Sequence, residues 1–223
     1  MAARPQDGMP APAGKDGDLT GTVFAADRLT TAHLCDVAPF GVAMSPRIAA
    51  LWPGARASGP AFTVRVAPGD NASLHAAIAT AEPGDVLVTD GAGFAERALW
   101  GAIMSYAAMR RGIAALVVDG AVRDVEEISG MRFPVFAASR TPVGPYNKVH
   151  GQLGGHVTCG GVGVNSRDLV YADDDGVVVV PAASAEQITA AALVRAEREA
   201  EIVRGLAAGA ELADLLPLLR KER

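Results

Sequence analysis

The sequence is short of lysine, aromatic residues, cysteine and long apolar runs, and each shortage removes a class of function. Its 223 residues contain three lysines, Lys15, Lys148 and Lys221. A Schiff-base mechanism needs a lysine in an apolar pocket; two of these lie near the chain ends, which leaves Lys148. With a formal charge of −5 and no cluster of cations, the chain lacks the basic stripe that displaces phosphate counterions. No nucleic-acid partner is expected. Aromatic residues make up 5% of a chain that is half hydrophobic, so the core must be built from Ala, Val and Leu. No run of about 18 apolar residues occurs, and no membrane span is expected. Cys35 and Cys159 are far apart and match no metal spacing; they read as small buried hydrophobes in a reducing, cytoplasmic setting.

Other motifs are missing too. The four histidines, His33, His75, His150 and His156, form neither H-x-H nor H-E-x-x-H. A His-ligated zinc is therefore not expected, and the four read as structural or surface residues. Ser105 and Ser139 lack a nucleophile-elbow context. No G-x-G-x-x-G lies between a strand and a helix, which leaves a nucleotide or S-adenosylmethionine site unsupported. The opening MAARPQDGMPAPAGKDGD has no apolar signal-peptide core and reads as a disordered leader, residues 1–18. One domain is expected to follow, residues 19–223.

What is present is strand–helix alternation, which points to an α/β fold. LTTAHLCDVAP (29–39) reads as a short helix capped by Thr30 or Thr31, and SGPAFTVRVAPGD (58–70) as a strand closed by a turn. NASLHAAIATAEPGD (71–85) reads as a helix and VLVTDG (86–91) as a buried strand. ALWGAIMSYAAMRRG (98–112) reads as a helix and IAALVVDG (113–120) as a second buried strand. Three β-like segments follow, 135–139, 156–164 and 169–181. A long helix over about 185–207 is then opened by a Ser184–Gln187 capping box.

The chemistry concentrates where loops leave the strands. In VVDGAVRDVEEI (117–128) an apolar run ends in Arg123 beside Asp124. The spacing Asp124 to Glu127 fits a capping box. It leaves Arg123 unexplained, and a guanidinium at that point can grip a carboxylate with two prongs. Asp124 can equally hold a hard divalent cation, since Mg²⁺ needs only one or two protein carboxylates. In RALWGAIM (97–104), a helix starting near Gly101 aims the amides of Ile103 and Met104 at whatever lies in front of it, a ready anion site. The plainer alternative makes Leu99, Trp100, Ile103 and Met104 core.

The succession PGDVLVTDG, ALWGAIM, GIAALVVDGAVRDVEEI, FPVF, TPVGP and DLVYADDDGVVVVP resembles the RraA-like family over residues 30 to 210. That family includes the metal-dependent 4-hydroxy-4-methyl-2-oxoglutarate / 4-carboxy-4-hydroxy-2-oxoadipate (HMG/CHA) aldolases and the regulators of ribonuclease E activity. The resemblance implies a β/β/α swivelling-type domain with a long C-terminal helix, assembled as a homotrimer or hexamer with sites between subunits. It implies Mg²⁺ or Mn²⁺ on Asp124 and Arg123 on the substrate carboxylate. It also implies that Gly101 and the amides of Ile103 and Met104 hold a pyruvate unit. Glu199, or failing that Glu201, would reach the site from a neighbouring subunit's last helix.

One position departs from the aldolase pattern: Ala102 stands where those enzymes carry an acid. Proton transfer by a positioned group is worth about 10²–10⁴-fold in rate. Three outcomes stay open. Glu96 substitutes for the acid, the chemistry differs, or the protein binds without catalysing. The resemblance thus implies a metal-dependent lyase that cleaves a small 2-oxo acid to pyruvate, or decarboxylates oxaloacetate. A non-catalytic regulator and a specialised-pathway lyase or isomerase are the alternatives.

Overall fold

The computed structural model describes residues 29–216 except 40 and 150. The leader expected over residues 1–18, together with Lys15, His150 and Lys221, falls outside them. The described residues divide into two compact units, Leu29–Leu193 and the stretch from Val194 onward.

The larger unit begins with helix α1 (Thr31–Val37), whose Thr30 side chain accepts from the His33 amide in a capping box. Strand β1 (Ala49–Ala50) follows. The centre is a run of four parallel strands with helical crossovers: β2 (Ala57–Arg65), α2 (Ala72–Thr80), β3 (Val86–Trp100), α3 (Ala102–Arg110), β4 (Ala115–Val122), α4 (Val125–Met131) and β5 (Val135–Arg140). These strands lie side by side in sequence order, and β1 closes one edge against β5. Every residue of β4 is buried, as expected of a Val-rich strand covered on both faces.

Beyond β5 come β6 (Gln152–Leu153), β7 (His156–Cys159), β8 (Val162–Asn165), β9 (Leu169–Asp173) and β10 (Gly176–Val180). Strand β6 pairs with β2, and β9 and β10 extend the sheet antiparallel from β2. The CGGV stretch is a hairpin turn, not a break in one strand. Gly160 and Gly161 take φ of 56° and 82° between β7 and β8, the double left-handed geometry of a tight hairpin. The apolar side of this hairpin (Val157, Cys159, Val162, Val164) joins the main core with the Val and Leu residues of β2 to β4. This is the β/β/α layering of the sequence reading.

Helix α5 (Ala185–Ala207) starts in the larger unit, where Ile188 and Ala192 pack with Leu34, Val178 and Val180. Ser184 lies in a short 3₁₀ turn before α5, and its hydroxyl donates to the Pro181 carbonyl at 3.3 Å. A four-residue helix, α6 (Leu212–Leu215), follows in the second unit. None of the described helices is long and apolar enough to cross a membrane.

Two expectations change. ALW (98–100) is not helical: Ala98 and Trp100 pair with Ala121 and Val122 of β4. Helical spacing of apolar residues loses here to complete burial of Leu99 and Trp100 at the sheet. Strand β3 therefore runs to Trp100 through three register irregularities between Asp90 and Trp100. The second change concerns the cysteines. Cys159 is buried as expected, but Cys35 is exposed, on the outer side of α1.

Burial first, and then the Asp119 carboxylate, hold the Cys159 thiol well above its ordinary range. The unfolded chain loses this proton before the folded one does. Its contribution to stability is therefore complete below the unfolded thiol's pKa of about 8.5 and is lost as pH rises toward the folded value. Urea midpoints are expected to decline above that pH in the parent protein and to decline less in Cys159→Ala. A thiol reagent should label Cys35 in the native state and Cys159 only with unfolding.

Candidate active site

The site is assembled by register. Trp100 at the end of β3 pairs with Val122 at the end of β4, and the Arg123 amide donates to the Trp100 carbonyl at 3.0 Å. The next residues of the two strands, Gly101 and the Arg123–Asp124 pair, are thereby pressed together. Trp100 is fixed from behind, stacking on Phe133 with ring centroids 6.3 Å apart. Its indole N–H donates to Ser105 Oγ at 2.7 Å. Crossover loops beyond the carboxyl ends of parallel strands are where ligands gather in such sheets.

Asp124 departs from the capping expectation. It precedes α4 with φ 58° and ψ 45°, and its side chain makes no cap hydrogen bond. A capping residue is normally extended; the left-handed backbone turns this carboxylate away from its own helix. Asp124 Oδ2 instead accepts the Ala102 amide at 3.0 Å, and Arg123 Nε lies 3.6 Å from the same oxygen. Among the described residues nothing donates a hydrogen bond to Oδ1. With no box formed, Glu127 in the first turn of α4 also has no hydrogen-bond or ion-pair partner among them. A left-handed non-glycine residue costs about 1–3 kcal/mol and tends to cluster at functional sites.

Gly101 is required by contact rather than by conformation, its backbone being extended. A Cβ there would stand 2.4 Å from Asp124 Oδ2 and 3.3 Å from Arg123 Cγ. Helix α3 then begins. Its Ala102 amide is taken by Asp124, while those of Ile103 and Met104 have no acceptor among the described residues. The Ile103 side chain is 85% exposed and that of Met104 is buried, so the core reading of this stretch holds for Leu99, Trp100 and Met104 but not for Ile103.

Around these residues lies a cleft of about 240 Å³. Its walls include Gly101, Ile103, Met104, Arg123 and Asp124, the residues expected from sequence, together with Asn71, His75 and Asn147. Asn71 and His75 were not foreseen. They stand one turn apart at the start of α2, just past the end of β2, and position after a parallel strand was the only available signal. Asn71 is buried; its Nδ2 donates to Met104 Sδ at 3.4 Å, and its Oδ1 is buried without a hydrogen-bond partner. Glu96 is exposed on the irregular part of β3 and is not part of the cleft wall. Lys148 is exposed and also off the wall, its amide donating to Asp70 Oδ2 at 2.8 Å.

Asp119, in the same VVDG run, serves the fold. It is paired by two hydrogen bonds with Arg47 and takes the Gly160 amide at 3.0 Å, fastening the β7–β8 turn. Glu199 belongs to the second unit, where it accepts from Arg195 Nε at 2.9 Å along α5; Glu201 is exposed on the same helix. Among the described residues no group of three or more His, Cys, Asp or Glu could hold a metal. A cation here would rest on one or two carboxylates and on oxygens from water or substrate.

Residues 31–179, which run from α1 into β10 and include the whole cleft wall, match the family described as RraA-like, Aldolase/RraA. The chain belongs to the RraA-like family. Over 130 residues it is 39% identical to a protein of Halalkalibacterium halodurans provisionally named 4-hydroxy-4-methyl-2-oxoglutarate aldolase, a match covering 58% of this chain and 62% of that protein. The match spans less than two thirds of that relative's own length. Among solved structures, an uncharacterized protein from Pseudomonas syringae pv. tomato superposes with a TM-score of 0.77 at 28% identity, covering 85% of this chain and 94% of that one. The RNA-processing inhibitor RraA from Thermus thermophilis gives 0.63 at 31% identity, with 69% and 93% covered. RraA-like chains thus include one provisionally named for a lyase and one described as an inhibitor.

Proposed function

We propose that this RraA-like protein is a divalent-metal-dependent lyase that breaks a C–C bond in a small 2-oxo acid and releases pyruvate, with oxaloacetate decarboxylation as a second activity. The observation that carries the reading is the Asp124 carboxylate, with one oxygen held by the Ala102 amide, the other unpartnered, and Arg123 beside it on a cleft wall.

The residues fit a hard cation. Asp124 would hold Mg²⁺ or Mn²⁺ through Oδ1, with water and substrate oxygens as the other ligands. The ion supplies an electron sink for the 2-oxo group. Arg123 binds the substrate carboxylate in two-pronged fashion, and the Ile103 and Met104 amides of α3 orient the pyruvate half. Developing negative charge on that half then faces a guanidinium and a helix N-terminus already in place, which is how preorganised sites lower barriers. Arg123→Lys keeps the charge and loses the fork. It is expected to raise KM for oxaloacetate and lower kcat together, read from steady-state pyruvate release.

Glu199 has its role in the assembly, reaching a neighbouring subunit's site in a homotrimer or hexamer. Support for such assembly comes from α3, where Ile103, Tyr106 and Met109 are exposed at three-residue spacing, an apolar stripe that a second copy would cover. Two free cysteines accord with a cytoplasmic setting.

The test is pyruvate release from oxaloacetate and from the branched hydroxy-oxo diacids, with Mg²⁺, with Mn²⁺ and with chelator, for the parent and for Ala102→Asp. Metal-dependent release by the parent supports the lyase. Release by Ala102→Asp alone supports a scaffold used for other chemistry or for binding. The regulator reading is favoured by one observation, the missing acid at Ala102, and predicts silence from both proteins and a stoichiometric protein partner.

A further inference from the structure

With Ala102 in place of an acid and Glu96 away from the wall, the cleft needs another group to move protons. Among the described residues of a single chain, three titratable side chains line it: His75, Arg123 and Asp124. A guanidinium offers donors and no acceptor, so Arg123 cannot take a proton from the substrate. Asp124 is committed to the Ala102 amide and, in the reading above, to the cation. His75 is left, and imidazole is the side chain whose ordinary proton exchange lies nearest neutral pH. It is exposed on the first turns of α2, and among the described residues its side chain has no hydrogen-bond partner. The same wall carries an independent mark of a ligand. Asn71, one turn earlier, buries its Oδ1 with nothing to accept from, although buried polar atoms are almost always satisfied. Asn71 itself lines the cleft, so an occupant that brings a donor is the available partner.

We propose that His75 is the acid–base residue of the cleavage reaction. The proposal rests on the lyase reading. Neutral His75 takes the C4 hydroxyl proton, and the oxygen's electron pair becomes the new carbonyl bond. The C3–C4 bond breaks and its electrons pass to C3 and the 2-oxo group. The imidazolium then returns the proton to C3, giving pyruvate and a second oxo acid. One proton leaves oxygen, one reaches carbon, and nothing is oxidised. Decarboxylation of oxaloacetate has no hydroxyl proton to remove, and there the final protonation can come from water.

The two reactions therefore separate the roles. The measurement is kcat for 4-hydroxy-4-methyl-2-oxoglutarate cleavage against kcat for oxaloacetate decarboxylation, both with Mg²⁺, for the parent, His75→Gln and His75→Ala. The ratio of cleavage to decarboxylation is expected to fall by about 10²-fold in both variants, the scale of a positioned proton carrier. Added imidazole should restore part of it in His75→Ala and none in the parent. An unchanged ratio, with no imidazole rescue, overturns the proposal, as does a parent protein that decarboxylates oxaloacetate but does not cleave the hydroxy diacid. A parent that releases pyruvate from neither substrate overturns the lyase reading and this inference with it.

Discussion

Asp124→Asn is expected to release pyruvate from oxaloacetate about 10³-fold more slowly than the parent, with the fold intact. The size follows from losing the charged ligand of a Lewis acid worth several kcal/mol, at about 1.4 kcal/mol per tenfold in rate. Asn is the informative replacement because it tolerates the left-handed backbone at φ 58°. Its side-chain oxygen can still accept the Ala102 amide. If Asp124 served only to brace α3 against α4, Asn would do nearly as well. Asp124→Ala removes the brace as well as the charge and is expected to be equally inactive and less stable, since alanine in this conformation is strained by about 1–2 kcal/mol. Thermal melting beside the activity assay separates the two effects.

The second large effect is expected at Gly101→Ala, a single added methyl. The new Cβ would meet Asp124 Oδ2 at 2.4 Å, so the carboxylate must rotate off the Ala102 amide. The extended Gly101 backbone suits alanine, which leaves no conformational reason for misfolding. Displacing a reacting group by about 1 Å costs on the order of 10²-fold. We expect a melting temperature close to that of the parent, weaker metal binding and about 10²-fold slower pyruvate release. Full activity in Gly101→Ala would mean that Asp124 works in a different orientation.

How far these features could be read from the sequence depended on whether their causes were local. The Val-rich β4 and the Arg123–Asp124 turn after it are contiguous, and both were legible. So was the long α5, with bounds close to those observed. The stretch 98–100 was misread because Leu99 and Trp100 carry helical spacing while their burial is decided by pairing with β4. The Asp124–Glu127 spacing suggested a capping box, and only the left-handed backbone at Asp124 and its hydrogen bond to the Ala102 amide show otherwise. Asn71 and His75 lie about fifty residues before Asp124. Parallel strand order brings them to the cleft, and no spacing rule encodes that. Cys35 was read as buried from residue type, yet it occupies the outer face of a seven-residue helix.

The central claim is that the turn at Arg123 and Asp124 is a divalent-cation site for 2-oxo acids. The most direct test is Mn²⁺ binding, followed by the electron paramagnetic resonance signal of the free ion, in the parent and in Asp124→Asn, with and without pyruvate. The account predicts one Mn²⁺ per chain in the parent, bound more tightly when pyruvate is present, and loss of that binding in Asp124→Asn. Equal Mn²⁺ binding by the two proteins, indifferent to pyruvate, would contradict it.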